Sequence, residues 1–199
     1  MNRVVIVLAA AMLLAWPAQA QYGGHNTPAG PPLEGPPRPK QQGYLGGSEG
    51  AAEDLQSNGN CDKAVPMFRR LTDGLNFAIA RLHLGQCLLT LADATKDASS
   101  SADMRREGAK WILSSADTGF TQAEAEAVTI CLDGVGMEKD PVEAEKWALV
   151  YHHNSLRTVL NLPDVAPDVS DRIDAALTPA TRAQAEARAD SWTPATRPN

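Results

Sequence analysis

Apolar residues along this chain come in two textures. Val4 to Trp16 is an unbroken apolar run of 13 residues. From Ser48 onward the apolar positions are spaced instead, recurring at three- and four-residue steps, as in Ala52 and Leu55 and then Ala64, Met67, Phe68 and Leu71. Such steps line up on one side of a 3.6-residue helix and predict an amphipathic helical body. Runs of β-branched residues are absent there, which argues against strands. Breaks fall at Gly59, Gly74, Gly119 and Gly134-Val135-Gly136, and again at Pro163 and Pro167. Thr178-Pro179 reads as a helix start, with a hydroxyl cap followed by a first-turn proline. The segments between breaks predict an all-α body built as a series of helical hairpins.

The first apolar run has a different reading. It follows a short basic start, Met1-Asn2-Arg3, and ends at Pro17-Ala18-Gln19-Ala20, a small-x-small site. This predicts a secretory signal peptide over residues 1–20, cut after Ala20. A spanning helix needs about 20 apolar residues, so no stable membrane insertion is expected once the signal is removed. The absence of a cysteine near the cut argues against a lipid anchor. The expected location is the periplasm, with secretion beyond it left open. Residues 21–50 hold 6 Pro and 8 Gly. That stretch has too little apolar surface to offset the entropy of ordering it. Residues 21–48 are therefore expected to be a disordered linker, favoured as a tether over a proline-rich ligand. The repeat body is expected over 49–192, with a disordered tail at 193–199.

Charge narrows the function. Lys and Arg total 18 against 24 Asp and Glu, a net −6 that becomes −7 when Arg3 leaves with the signal. An acidic chain with no basic run does not suit nucleic acid, so no nucleic-acid partner is expected.

An internal period then organises the body. Trp111 and Trp147 lie 36 residues apart, and Gly108 and Ala144 share that offset. Between the tryptophans run Gly119, Ala123, Ala127, Cys131, Gly134-x-Gly136 and Asp140-Pro141, followed by Ala144. Alanines let helices approach closely, tryptophan fills the space between hairpins, and the paired glycines supply turn backbone. This stretch resembles the Sel-1-like repeat family, a relative of the tetratricopeptide repeats. The match rests on Trp111, Gly119, Ala123, Gly134, Gly136, Asp140, Ala144 and Trp147. A weaker upstream copy places Phe68 at the tryptophan position, Ala80 at the small position and Leu84-Gly85 in the second helix. It lacks the Gly-x-Gly loop. The third copy is cut short by Pro163, and Val169, Ile173, Leu177, Ala183, Ala187 and Trp192 read as a C-terminal helical cap. The resemblance implies a short right-handed α-solenoid.

Candidate chemistry is sparse. Cys61 and Cys87 lie 13 residues before and after Gly74. If the chain turns there, antiparallel helices bring them level, and a Cys61–Cys87 disulfide is predicted. Cys131 takes an apolar helical position and reads as a buried, inert thiol. His83 and Cys87, spaced i, i+4, could share a face as metal ligands, but oxidation of Cys87 removes that option. His152-His153 points in two directions and makes a poor chelator, with one ring expected against the stack and one toward solvent. No metal and no cofactor are expected. Glu124, Glu126, Glu143 and Glu145 are expected on exposed helix faces rather than as catalytic acids. No nucleophile elbow, phosphate loop or zinc-protease motif is present, so no catalytic residue is assigned and the chain is read as a non-enzyme.

Repeat stacks present an inner surface lined by the first helix of each unit. Residues beside the tryptophans are the binding candidates: Arg106, Lys110 and Ser114, then Glu143, Lys146 and Val150, with Arg69 and Arg70 upstream. A basic strip of Arg69, Arg70, Arg106, Lys110 and Lys146 on an acidic protein suits an acidic peptide or a carboxylate. The resemblance implies a protein–protein interaction module, an adaptor or regulator with an envelope protein or peptide as partner. The alternative is a cell-wall binding protein or enzyme of the cysteine-rich repeat type, acting on peptidoglycan or a small ligand. Oligomeric state is left open.

Overall fold

The computed structural model describes residues 46–75 and 78–195. The expected signal peptide, residues 21–45 of the expected linker and residues 196–199 lie outside the described residues. Among the described residues there are nine helices and no strand: α1 (Gly46–Ser57), α2 (Cys61–Leu75), α3 (Ala78–Ala94), α4 (Ala98–Ala116), α5 (Thr121–Asp133), α6 (Pro141–His153), α7 (Ser155–Val159), α8 (Pro167–Ala176) and α9 (Pro179–Ser191). None of these helices is long and apolar enough to cross a membrane. Helix α1 takes up the last three residues of the stretch expected as linker.

Local chemistry accounts for most of the boundaries. Asp97 caps α4 by accepting from the Ser100 N–H at 2.7 Å. Asp140 caps α6 by accepting from the Glu143 N–H at 2.9 Å, and Pro141 occupies its first turn. Thr178 and Thr181 form a reciprocal capping box at the start of α9, ahead of Pro179. Gly59, Gly119, Gly134 and Gly136 all have positive φ at the predicted breaks. Two break residues behave differently. Gly74 lies inside α2, which runs on to Leu75, and Pro167 opens α8 rather than interrupting the chain.

Helices α1 to α6 pack on their sequence neighbours: α1 on α2, α2 on α3, α3 on α4, α4 on α5, and α5 on α6. This is the near-one-dimensional stacking of a repeat solenoid. The core divides into two clusters along the stack. The first gathers Ala64, Phe68, Ala80, Leu84 and Leu88 around Cys61 and Cys87. The second gathers Ile112, Ala123, Ala127, Cys131, Ala144, Trp147 and Ile173. The repeat alanines Ala80, Ala123 and Ala144 are fully buried, as are Phe68 and, almost completely, Trp147. Trp111 differs from Trp147. It is only half-buried, and its Nε1–H donates to Glu107 Oε1 at 3.2 Å.

The most extensive helix contact lies between α3 and α4. A Cβ built on Gly85 would stand 2.7 Å from the Gly108 carbonyl oxygen, and one built on Gly108 would stand 2.9 Å from the Gly85 carbonyl oxygen. The two glycines therefore let the backbones touch. The Ser115 hydroxyl ties the same pair together by donating to the Ala78 carbonyl at 2.6 Å.

The predicted disulfide is present. Cys61, the first residue of α2, is bonded to Cys87 of α3, with the Cα atoms 5.1 Å apart. Helix α2 runs through Gly74 to Leu75, and α3 begins at Ala78.

The third hairpin is truncated. Helix α7 has five residues, and Pro163 follows it. Helix α9 takes the place of the missing partner by packing on α6. Its Trp192 meets Trp147 edge-on, with ring centroids 5.8 Å apart. The inward alanines of α9 are Ala185 and Ala189, whereas Ala183 and Ala187 are exposed. The expected cap is there, but rotated.

Candidate functional site

Helix α4 carries a stripe of residues along one side: Arg106, Ala109, Lys110, Leu113, Ser114 and Asp117. Together with Gly136 and Met137 they line an open groove of about 480 Å³. The far wall is the α5–α6 loop, and glycine chemistry puts it there. Gly134 ends α5 in the left-handed region with φ 70°, its N–H bonded to the Ile130 carbonyl at 3.0 Å. Gly136, at φ 69°, lies against the backbone of Arg105 and Arg106, where a Cβ would overlap the Arg105 carbonyl. The loop is thereby seated on α4, and Met137 is left 38% exposed over the groove.

The five expected basic residues do not form one strip. Arg106 and Lys110 share the groove, one helical turn apart and both exposed. Arg106 donates to Asp103 at 2.7 Å, while Lys110 makes no ion pair within 4 Å among the described residues. Arg69 is committed elsewhere. Its guanidinium grips Glu107 in a two-pronged pair, at 2.6 and 2.8 Å. Burial alone would raise the Glu107 carboxyl, but the hydrogen bonds from Arg69 and Trp111 and the charge of Arg69 hold it below the usual range. Arg70 is exposed on α2 and does not line the groove.

Lys146 corrects the expectation of an accessible cation. It is 6% exposed, its Nζ lies 3.0 Å from Glu143 Oε1, and the ammonium sits 3.3 Å from the Trp147 ring centroid. Arg188 of α9 reaches the other Glu143 oxygen at 3.1 Å. Because α9 folds over this side of α6, Lys146 serves the packing of α9 rather than a free surface. Val150 is buried as well.

The glutamates expected on solvated faces are not exposed either. Glu124 is fully buried. Glu126 is part-buried and accepts from Gln86 Nε2. Glu145 accepts from Arg182 at 2.8 Å. Helices α5 and α6 are packed on two sides, so the polar face that a lone helix would show to water is partly covered.

Glu124 belongs to a second cavity, of about 460 Å³, between the start of α5, the end of α6 and the chain after α9. Asn154 Nδ2 donates to Glu124 Oε2 at 2.8 Å. The other oxygen, Oε1, is buried with no hydrogen-bond partner. Burial pushes the Glu124 carboxyl up, against the opposing pull of the Asn154 hydrogen bond and the Lys146 charge. Val150, Leu156, Trp192 and Pro194 supply apolar wall, and His153 and Asn154 supply polar groups. The Ala195 N–H donates to the Asp117 carbonyl at 2.7 Å and pins the C-terminal wall in place. Nothing in the spacing of Glu124, Asn154 and Trp192 marks them as neighbours; the packing of α6 on α5 joins Asn154 to Glu124, and the return of the chain after α9 adds Trp192.

The remaining candidates resolve simply. Cys131 is fully buried, and burial first, then the charges of Glu143 and Asp140, push its thiol up to about 12. His83 stacks on Phe68 at 5.5 Å and lies 3.1 Å from Gln86 Oε1, and Cys87 beside it is oxidised. His152 and His153 are both exposed, contrary to the expectation that one would face the stack, and His152 pairs with Asp164 at 2.6 Å. Among the described residues no cluster of three His, Cys, Asp or Glu side chains could hold a metal ion.

Comparison with known proteins bears on the fold alone. No protein-family model matches the chain, and no curated protein matches it. Among solved structures, the chain is similar to c5321, a protective antigen present in uropathogenic Escherichia coli strains and displaying an SLR fold. The TM-score is 0.58 at 21% identity, over 76% of this chain and 30% of that one, so the chain spans under a third of that protein's length. The seated Gly-x-Gly loop, the buried alanines and Trp147, and the stack of hairpins place this chain in the Sel1-like repeat (SLR) fold.

Proposed function

We propose that this chain is an exported protein–protein interaction module that works as an adaptor or regulator in the bacterial envelope and holds an acidic segment of its partner in the α4 groove. The observation that carries the reading is the groove itself. Two exposed cations, Arg106 and Lys110, stand one turn apart beside apolar Ala109 and Leu113 and across from Met137 on the far wall, with one carboxylate, Asp117, at the end of the groove. Carboxylates of a partner strand or helix would pair with the cations while its apolar residues cover Ala109 and Leu113. Repeat solenoids offer such surfaces because each unit adds the same face to the stack. The Cys61–Cys87 disulfide fits an oxidising compartment, in keeping with the signal-like start of the chain. We read the protein as a binder rather than an enzyme, with residues 21–48 as a tether that extends its reach.

The test is affinity capture from an envelope extract. Residues 21–199, the same chain without 21–48, and each of these carrying Arg106→Glu with Lys110→Glu would serve as baits. A specific protein recovered by both parent baits and lost from both double variants is the expected result. Recovery indifferent to the double variant would remove the groove from consideration, and recovery that needs 21–48 would move function to the arm. If no protein is retained but purified sacculi are, the cell-wall alternative takes over.

A further inference from the structure

We propose that the α4 groove reads the order of charges in its partner: an extended segment whose inward side chains are two carboxylates, then an apolar group, then a cation. The inference rests on the groove reading above and sharpens it from an acidic segment to an ordered one.

The polar groups of the groove are sorted along one helix. Arg106 and Lys110 stand along α4, and Asp117, its C-cap residue, closes the far end. All three are exposed, and Asp117 is the one carboxylate among the lining residues. Neither Lys110 nor Asp117 makes an ion pair within 4 Å among the described residues. Arg106 is held by Asp103 in a pair about two-thirds exposed on both sides. Such a pair is worth little and yields readily to an incoming carboxylate. At the far end the negative pole of the α4 dipole acts in the same sense as Asp117, and both favour a cation. A ligand acidic throughout would set a carboxylate against Asp117, and one basic throughout would face Arg106 and Lys110.

Spacing sets the pattern. Helical rise puts Arg106 and Lys110 about 6 Å apart and Asp117 about 10 Å beyond Lys110. Inward residues of an extended strand recur about every 6.6 Å. Two successive ones therefore match the cations, and the third lies beside Leu113 and Ser114. The fourth comes within about 2–3 Å of Asp117 along the groove, a shortfall that a lysine side chain covers. A three-turn helix about 10 Å across fills about 1,200 Å³, whereas the groove offers about 480 Å³, so a strand is the occupant that fits.

The test is an NMR titration of ¹⁵N-labelled residues 21–199, read at the Lys110, Leu113 and Gly136 amides. The matched peptide is acetyl-Glu-Ser-Glu-Ser-Leu-Ser-Lys-amide, and its counterpart ends in Glu instead of Lys. The parent should bind the Lys-ended peptide about fivefold more tightly or better, the size of one exposed charge pair turned from repulsion to attraction. Asp117→Asn should remove most of that preference. Asp117 caps α4 through its backbone N–H, so this variant keeps the cap. Asp54→Asn, on exposed α1, changes net charge equally away from the groove and should leave the preference intact. Equal affinity for the two peptides, or the same loss of preference in both Asp→Asn variants, would overturn the ordered reading. If both peptides still bind and are lost with Arg106→Glu and Lys110→Glu, the acidic-segment reading survives that failure. No saturable shift from either peptide would overturn both.

Discussion

Gly85 and Gly50 offer the same chemical change with opposite consequences. Both lie inside helices, α3 and α1, so replacing either with alanine should remove a helix-interior penalty of about 1 kcal/mol. At Gly50 nothing lies within 4 Å of the new Cβ, and that gain should be realised in full. At Gly85 the new Cβ would stand 2.5 Å from Ile112 Cγ1 and 2.7 Å from the Gly108 carbonyl oxygen. Ile112 is itself fully buried, and the carbonyl is helix backbone, so neither can swing aside. Helices α3 and α4 would have to separate by several tenths of an ångström along the most extensive contact in the stack. Overpacking of this kind costs about 1–3 kcal/mol. A clash with backbone belongs at the upper end, which leaves Gly85→Ala destabilised by about 1–2 kcal/mol after the helix gain is subtracted. For a domain of this size each kcal/mol moves the melting midpoint by about 2–4 °C. Urea unfolding of residues 21–199 at constant m-value, with thermal melts in parallel, should therefore place Gly50→Ala above the parent and Gly85→Ala below it. A Gly85→Ala protein as stable as the Gly50→Ala protein would refute the claim that backbone contact at this crossing limits the packing of α3 on α4.

Three further outcomes follow from the same structure. Removing the disulfide with Cys61→Ala and Cys87→Ala reopens a loop of 26 residues' separation; it should cost about 3 kcal/mol in the chain-entropy picture, and equal melting midpoints for oxidised and reduced protein would contradict it. Cys131 should resist a thiol reagent in the native state at mildly alkaline pH and react only on unfolding, because it is fully buried with its thiol pushed up to about 12; rapid native labelling would show that α5 opens locally. Glu124 has a folded-state carboxyl pKa raised above the ordinary 4.5. Its contribution to stability is thus fully present below that value and is lost as pH rises through the raised one. Glu124→Gln does not titrate, so its stability relative to the parent should improve as pH rises across this window, and a flat difference would mean that the carboxyl is not buried as described.

The expected cations are spent in different ways in this fold. Three of the five expected cations are unavailable to a ligand in the groove. Arg69 holds Glu107, Lys146 holds Glu143 over Trp147, and Arg70 lies outside the groove lining. The two that line the groove, Lys110 and the exposed Arg106 with its Asp103 pair, lie where the Gly-x-Gly loop is seated on α4, so the element that defines the repeat also builds the wall of the groove.

What the sequence determined by itself was whatever local chemistry controls. Asp140-Pro141 and Thr178-Pro179 start helices because capping and proline geometry act within one turn. Gly134 and Gly136 bend the chain because only glycine takes those φ values without strain. The 36-residue spacing of Trp111 and Trp147 marks the repeat, and Cys61 and Cys87 meet because hairpin partners are neighbours in a solenoid. Tertiary structure alone decided which face of each helix is covered. Glu143, Glu145 and Lys146 read as solvated until α9 folds back over α6 in place of the missing third-repeat helix and closes on them. The same return of the chain brings Trp192 and Pro194 over Glu124, a residue whose surroundings in sequence give no sign of burial. Trp111 and Trp147 hold equivalent repeat positions, yet only Trp147 gains a covering helix from the C-terminal cap. Periodicity reports that a face exists; long-range contact, which no local pattern encodes, determines whether water or protein lies against it.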